Sequence, residues 1–163
     1  MSIASRMVRM VPVALLALVA QGAFAADAPL PWAERNGTYL LPEQNGAQLA
    51  LVAMVYPANH RVLYGFRETP QRANCAPGSV SRGQTLDVEG VRILFSRECV
   101  RGVFTLIPVN VPSKRAFASI LSRVKTLHLR TASFFPLTYD VSTLPVVSDR
   151  LEVLAAERRS RVR

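Results

Sequence analysis

The two cysteines of the chain, Cys75 and Cys99, constrain its fold more than any other feature. Cys75 lies in a segment rich in Asn, Pro and Gly, which is typical of a loop. Cys99 directly follows an alternating apolar stretch that predicts a strand. We predict a disulfide between them, which would tie a loop to the end of a strand. Closing a loop of about 25 residues would contribute roughly 3.5 kcal/mol to the free energy of unfolding.

A metal site is the alternative use of these cysteines. It would combine Cys75 and Cys99 with the two histidines, His60 and His128. No two of the four residues have the spacing of known zinc ligands. We therefore expect neither a metal nor another cofactor.

The N-terminus has the three parts of a secretory leader. Arg6 and Arg9 precede the apolar residues 11–20, and an Ala-Phe-Ala sequence follows at 23–25. Ten apolar residues are too few to cross a hydrocarbon core of roughly 30 Å. We predict cleavage after Ala25 and a periplasmic or secreted protein, a compartment in which a disulfide persists. No cysteine directly follows the cleavage site, so we expect no lipid anchor.

The remaining chain predicts one basic domain. Residues 26–157 suit a single hydrophobic core, and residues 158–163 form a basic tail with four arginines. Removing the leader takes away two arginines and no acid, so the formal charge falls from +9 to +7. Trp32, the single tryptophan, is expected to close the edge of the core.

Alternation of apolar and polar residues predicts two hairpins. One joins residues 85–88 to 91–95 through Glu89-Gly90, and the other joins 48–56 to 61–67. Because 48–56 is apolar on both faces, we place it centrally in the sheet. Further strands are predicted at 38–41, 103–109, 125–130 and 133–142, the last at an edge because it contains Pro136.

Two helices are predicted. Phe117, Ile120, Leu121 and Val124 recur at helical spacing, which indicates a helix over about 113–124 with Ser113 as its N-cap. A second helix is predicted to start at Ser148, with Asp149 and Glu152 in its first turn. We expect an α+β fold, with an antiparallel sheet of about six strands and one helix packed on a face. A small β-sandwich with a helical insert is the alternative.

The order of strand, cysteine, strand, short helix and final hairpin resembles that of the invasion-associated locus B family of exported bacterial proteins. The resemblance covers roughly residues 86–129. This chain lacks the second cysteine expected just after Cys99 and an upstream cysteine pair. Nothing about site residues is therefore carried over from that family.

Catalytic motifs are absent from the sequence. There is no G-x-S-x-G, Walker loop, H-E-x-x-H or G-x-G-x-x-G. Ser122 and Lys125 match S-x-x-K, but the accompanying S-D-N and K-T-G motifs are missing. Both cysteines are committed to the predicted disulfide. We therefore expect a protein that is not an enzyme, with an enzyme of unknown class as an alternative.

The basic surface gives the functional hypothesis. We expect an exported binding or accessory domain of the cell envelope, with an anionic or protein partner. Its predicted anion site consists of Arg92, Arg97 and Arg101 around Cys99, together with the C-terminal arginines Arg158, Arg159, Arg161 and Arg163.

Two other kinds of partner follow from the same sequence. A small inhibitor of an exported hydrolase is the alternative, and it would present residues 76–84 as a rigid projecting loop. Nucleic acid is not expected, because the sequence carries no known nucleic-acid-binding motif.

Overall fold

The computed structural model describes residues 31–44, 49–68, 75–131 and 134–161. The predicted leader, its cleavage site and Arg163 lie outside these residues. Within them, neither helix combines the length and the apolar character needed to cross a membrane.

Nine strands and two helices make up the described chain. They are β1 (Ala33–Arg35), β2 (Thr38–Leu41), β3 (Leu49–Val55), β4 (Val62–Glu68), β5 (Val80–Val88), β6 (Val91–Val100), β7 (Val103–Pro108), α1 (Val111–Leu121), β8 (Thr126–Thr131), β9 (Phe134–Asp140) and α2 (Leu144–Ser160).

All nine strands belong to one antiparallel sheet in the order β1-β2-β3-β4-β7-β6-β5-β8-β9. The α+β class is confirmed, but the expected sheet of about six strands is wrong, and the strands are not divided between two sheets as in the β-sandwich alternative. Local alternation shows where strands lie, whereas the size of a sheet depends on which strands pair. β1, which has three exposed residues, was not predicted.

The predicted hairpins are present. Val88 lies opposite Val91, with Glu89 at φ 51° and Gly90 at φ 78°, the left-handed conformations of a type I′ turn. β3 is the third of the nine strands, so it lies inside the sheet but not at its centre. It is buried on both faces, because α2 packs on one face and a second apolar cluster covers the other. β9 ends the sheet, as its proline predicted.

The larger core lies between the sheet and both helices. Phe66 of β4 is at its centre, with ring centroids 5.7 Å from Phe95, 5.4 Å from Phe117 and 5.8 Å from Tyr139. Phe117 comes from α1, so this aromatic cluster joins the helix to three strands. Trp32 is 5% exposed and belongs to the same core, which confirms its predicted position.

A smaller core covers the other face of β3 and β4. It contains residues of β3 and β4 together with residues of the β6–β7 hairpin: Val52, Met54, Leu63, Val100 and Ile107. Where β7 passes β4, a Cβ on Gly65 would overlap the carbonyl oxygen of Leu106. Glycine therefore lets the two backbones cross closely at this point.

Both helices begin earlier than predicted. Asn110, not Ser113, caps α1, since its side-chain oxygen accepts from the amide of Ser113 at 2.8 Å. α1 ends at Leu121. α2 begins at Leu144 and has Pro145 in its first turn, where a proline is tolerated. Asp149 and Glu152 therefore come after the first turn.

The predicted disulfide is present. The Cα atoms of Cys75 and Cys99 are 5.8 Å apart, and the amide of Cys99 donates to the carbonyl of Ser79 at 2.9 Å. Residues from Val80 onward belong to β5. The segment 76–84 is therefore not a projecting loop, because five of its nine residues, 80–84, belong to β5, which pairs with β6.

Candidate binding surface

The predicted arginine site is spread along β6. Arg92 and Arg101 lie at opposite ends of this strand, roughly 25–30 Å apart at the usual rise per residue. Arg97, between them, forms a two-pronged hydrogen bond with the carboxylate of Glu68, at 2.5 and 2.7 Å. Its guanidinium also stacks on the ring of Phe104, 3.4 Å from the centroid. Arg97 is thus engaged within the protein.

Two further predicted arginines hold the turn between β1 and β2. Arg101 donates through Nη1 to the carbonyl of Asn36 at 3.0 Å and to Oγ1 of Thr38 at 3.1 Å. Arg158 approaches the same turn from α2, where its Nη2 would lie 3.1 Å from a Cβ on Gly37. The hydrogen bonds of Arg101 therefore stabilise the turn, and Arg158 lies beside it.

The remaining C-terminal arginines differ from one another. Arg159 donates through Nη1 to the carbonyl of His60 at 2.8 Å, which ties the end of α2 to the β3–β4 turn. Arg161 is exposed at the C-cap of α2. The structure therefore does not gather the predicted cations into one patch.

A different surface surrounds the free part of β4. β3 pairs with all seven residues of β4, whereas β7 pairs only with Phe66 and Arg67. Within the described part of the chain, residues 62–65 therefore have no strand on the side facing away from β3. This open edge of β4 is about 13 Å long.

The hydrogen-bonding pattern shows which groups the open edge presents. The amide of Tyr56 donates to the carbonyl of Arg61 at 2.8 Å, so these two residues form a hydrogen-bonded pair. Such pairs alternate along an antiparallel ladder, so the N–H and C=O groups of Val62 and Tyr64 point away from β3. Continuing the β4–β7 register would place Pro108 opposite Tyr64. Proline has no N–H to donate, so the ladder loses a bond there.

Three adjoining cavities lie along this open edge, and Val62 lines all of them. The first, of about 230 Å³, lies between β4 and Lys114, Arg115 and Ala118 of α1. The second, of about 210 Å³, lies between β4 and the end of β7, next to Pro108. The third, of about 440 Å³, extends towards α2 and is lined by residues that include Glu152 and Arg159.

Four cations line these cavities, and we call them the groove cations: Arg61, Lys114, Arg115 and Arg159. All four are exposed. The described residues contain two ion pairs, Arg97 with Glu68 and His128 with Glu89, so no groove cation has a carboxylate within 4.0 Å. Within the described part of the chain, no ion pair compensates these charges, although Nη1 of Arg159 donates to the carbonyl of His60.

Two acids lie in the same cavities. Glu98 is engaged by hydroxyl groups, accepting from Tyr56 at 3.0 Å and from Ser96 at 2.7 Å. Glu152 is exposed on α2. The groove cations therefore outnumber the free carboxylates among the described residues, and the charge around these cavities is positive.

Tyr64 forms part of the floor between the two helices. Its hydroxyl lies 2.9 Å from Oγ of Ser148, and Ser148 itself donates to the carbonyl of Leu144 at 2.9 Å. Tyr64 is therefore the donor to Ser148. Burial raises the pKa of Tyr64, and the nearby carboxylates of Glu152 and Asp149 add to this effect. The phenol stays neutral at physiological pH and holds α2 against β4.

The other candidates from the sequence do not form a site. Ser122 is exposed and donates to the carbonyl of Ser119 at 3.0 Å. Nδ1 of His128 is 2.9 Å from the carboxylate of Glu89, at an open cavity beside the hairpin turn. No cluster of three or more His, Cys, Asp or Glu able to hold a metal occurs in the described ranges.

Sequence reasoning missed the groove because its cations come from separate elements. Arg61 precedes β4, Lys114 and Arg115 lie on α1, and Arg159 lies near the end of α2. The one local signal was Pro108, which marks a strand that cannot pair fully on both sides.

Comparison of the chain with protein-family models, with curated proteins and with solved structures gives no match. The resemblance to the invasion-associated locus B family therefore receives no support.

Proposed function

We propose that this protein is an exported, non-catalytic binding or accessory domain of the cell envelope, and that the groove cations beside β4 bind an anionic partner. The observation that carries the proposal is the concentration of four exposed cations on cavities that share Val62, none of which forms an ion pair with another described residue. The disulfide supports an oxidising compartment. A surface of this charge attracts acidic polymers and acidic protein surfaces alike.

The alternative is that the positive charge has no specific ligand and only keeps the domain soluble. In that case any four exposed cations should contribute equally to binding an anion. A specific surface requires the groove cations to contribute more than other exposed cations of equal charge.

A matched pair of variants distinguishes a specific binding surface from a general effect of charge. The groove variant carries Arg61→Gln, Lys114→Gln, Arg115→Gln and Arg159→Gln. The control carries Arg92→Gln, Lys125→Gln, Arg130→Gln and Arg150→Gln, which removes the same charge from exposed positions outside the cavities around Val62. We expect the groove variant to lose retention on immobilised polyglutamate and on envelope extract, and the control to lose little.

Salt and folding provide the checks on this comparison. Retention should fall with ionic strength, because exposed charges are screened over about 8 Å at physiological salt. Thermal unfolding should show both variants folded. Equal retention of the two variants would contradict a specific surface.

Export is tested separately. The chain expressed with its leader should be recovered from the periplasm with Ala26 as its first residue. Recovery of the intact Met1 form in the inner membrane would contradict the predicted compartment.

The predicted tail can be tested with the same assay. A chain ending at Glu157 loses Arg159, which lines a groove cavity, as well as Arg158, Arg161 and Arg163. We expect its retention to fall by less than that of the groove variant. A loss as large as that of the groove variant would place the binding in the tail instead.

The inhibitor alternative has no structural observation in its favour. It depended on a rigid loop at 76–84, and Val80 to Gln84 lie in β5. The disulfide fixes the start of this strand to β6.

A further inference from the structure

The geometry points to an extended acidic peptide as the ligand of the groove, bound as an added strand on the open edge of β4. This inference rests on the proposed function and adds the ligand class and the binding mode. A protein that adds a strand uses main-chain hydrogen bonds for affinity and side-chain contacts for specificity. Both kinds of contact are available beside β4.

The main-chain contacts come from Val62 and Tyr64. Their N–H and C=O groups point away from β3, and the pairing of β4 with β7 begins only at Phe66. Residues 62–65 therefore leave an unpaired edge with the length of a strand of about four residues before β7 begins to pair. The cavities between β4, α1 and the end of β7 lie on this side.

The charge around the edge selects the ligand. Lys114 lines both cavities beside the edge, Arg61 lines two of the three cavities, and Arg115 and Arg159 flank the edge from the two helices. Alternate side chains of an added strand point to opposite sides. Acidic side chains on the helix side of the sheet can therefore reach these cations beside Val62 and Tyr64, while the apolar side chains between them lie on the face of Leu63.

The first test uses labelled peptides of alternating glutamate and valine with the wild-type protein. One peptide is unmodified, a second is N-methylated at the glutamates and a third is N-methylated at the valines. Only alternate N–H groups of an added strand face β4. We expect one N-methylated peptide to bind at least tenfold more weakly than the parent, because each of about two lost hydrogen bonds changes Kd by about two- to tenfold. The other should keep most of its affinity.

The second test changes the protein edge. Val62→Pro removes the N–H that points outward and leaves the β3–β4 ladder intact. Val62→Thr retains that N–H and a branched side chain of similar size, so it is the control. We expect Val62→Pro to weaken binding of the alternating peptide while retention on polyphosphate, which has no peptide backbone, is unchanged. Thermal unfolding checks that both variants fold.

The outcomes separate the inference from the proposed function. If the groove variant binds the peptide and polyphosphate as tightly as the wild type, the proposed function fails and the inference fails with it. If the groove variant loses both but all three peptides bind equally, only the inference fails, and the groove binds anions by charge alone.

A second copy of the chain is the competing occupant of the edge. Sedimentation analysis tests it directly. A wild-type dimer that becomes a monomer in Val62→Pro would overturn the acidic peptide as the ligand. We expect the wild-type protein and Val62→Pro to sediment with the same mass.

Discussion

Replacing Gly65 with alanine tests whether the crossing of β4 and β7 organises the fold. The new Cβ would lie closer than 3.0 Å to the carbonyl oxygen of Leu106, which is backbone and cannot turn away as a flexible side chain can. Overpacking of this kind costs about 1–3 kcal/mol. Displacing β7 also weakens the pairing of Phe66 with Leu106, which costs about 1 kcal/mol for one hydrogen bond.

The expected loss for Gly65→Ala is therefore about 2–4 kcal/mol. In a domain of this size, 1 kcal/mol shifts Tm by about 4 °C, so Tm should fall by about 8–16 °C. Urea unfolding of the purified, oxidised protein measures the free energy directly, and thermal unfolding gives Tm.

Gly78→Ala is the matched control. Gly78 has φ +80° and nothing within 4 Å of an added Cβ, so the substitution introduces backbone strain without a clash. It should cost about 1 kcal/mol. If Gly65→Ala is no more destabilising than Gly78→Ala, the close crossing at Gly65 is not a real constraint on the fold.

Three other predictions concern covalent, capping and titrating groups. The purified protein should show no free thiol on titration under denaturing conditions, and replacing Cys75 and Cys99 by serine should lower the free energy of unfolding by about 3.5 kcal/mol in urea titrations; two reactive thiols would contradict this. Asn110→Ala should cost about 1 kcal/mol in the same assay and Ser113→Ala much less, because Asn110 caps α1; the reverse order would restore Ser113 as the cap. Burial, with a smaller effect of a nearby carboxylate, raises the pKa of Tyr139. The contribution of this shift to the free energy of unfolding is therefore complete below about pH 10 and is lost as the pH rises towards the pKa of the folded state. Tyr139→Phe should therefore cost about 1 kcal/mol at pH 7, through its lost bond to the main chain, and should lose less stability than the wild type between pH 9 and 11; equal losses in that pH range would contradict the assignment.

Local sequence patterns predicted α1 and the strands other than β1, because each of these elements depends on its own periodicity. The segment 48–56 is apolar at nearly every position, and β3 is accordingly buried on both faces. The start of α2 was predicted too late because Leu144, Pro145, Val146 and Val147 form an apolar run without helical spacing. The structure buries Leu144 and Val147 and exposes the two residues between them, which is the helical pattern.

The binding surface could not be predicted in the same way. β4 is followed in sequence by β5 but pairs in the sheet with β7, so the neighbours of its open edge are distant in the chain. The predicted arginine patch relied instead on closeness in sequence around Cys99. A strand separates residues by about 3.3 Å each, so arginines that are close in sequence can lie at opposite ends of one strand.

An open strand edge is normally a hazard, because it can pair with another chain and begin aggregation. Cations beside an edge are a common protection, and the groove cations could serve that purpose alone. Their effect, however, depends on the charge of the incoming strand. The chain carries a formal charge of +9, or +7 without the predicted leader, so a second copy is repelled from the edge. An acidic strand meets the opposite force from the same four side chains. Protection against self-association and selection of an acidic ligand are therefore compatible, and the N-methylated peptides distinguish a surface that does both from one that only repels.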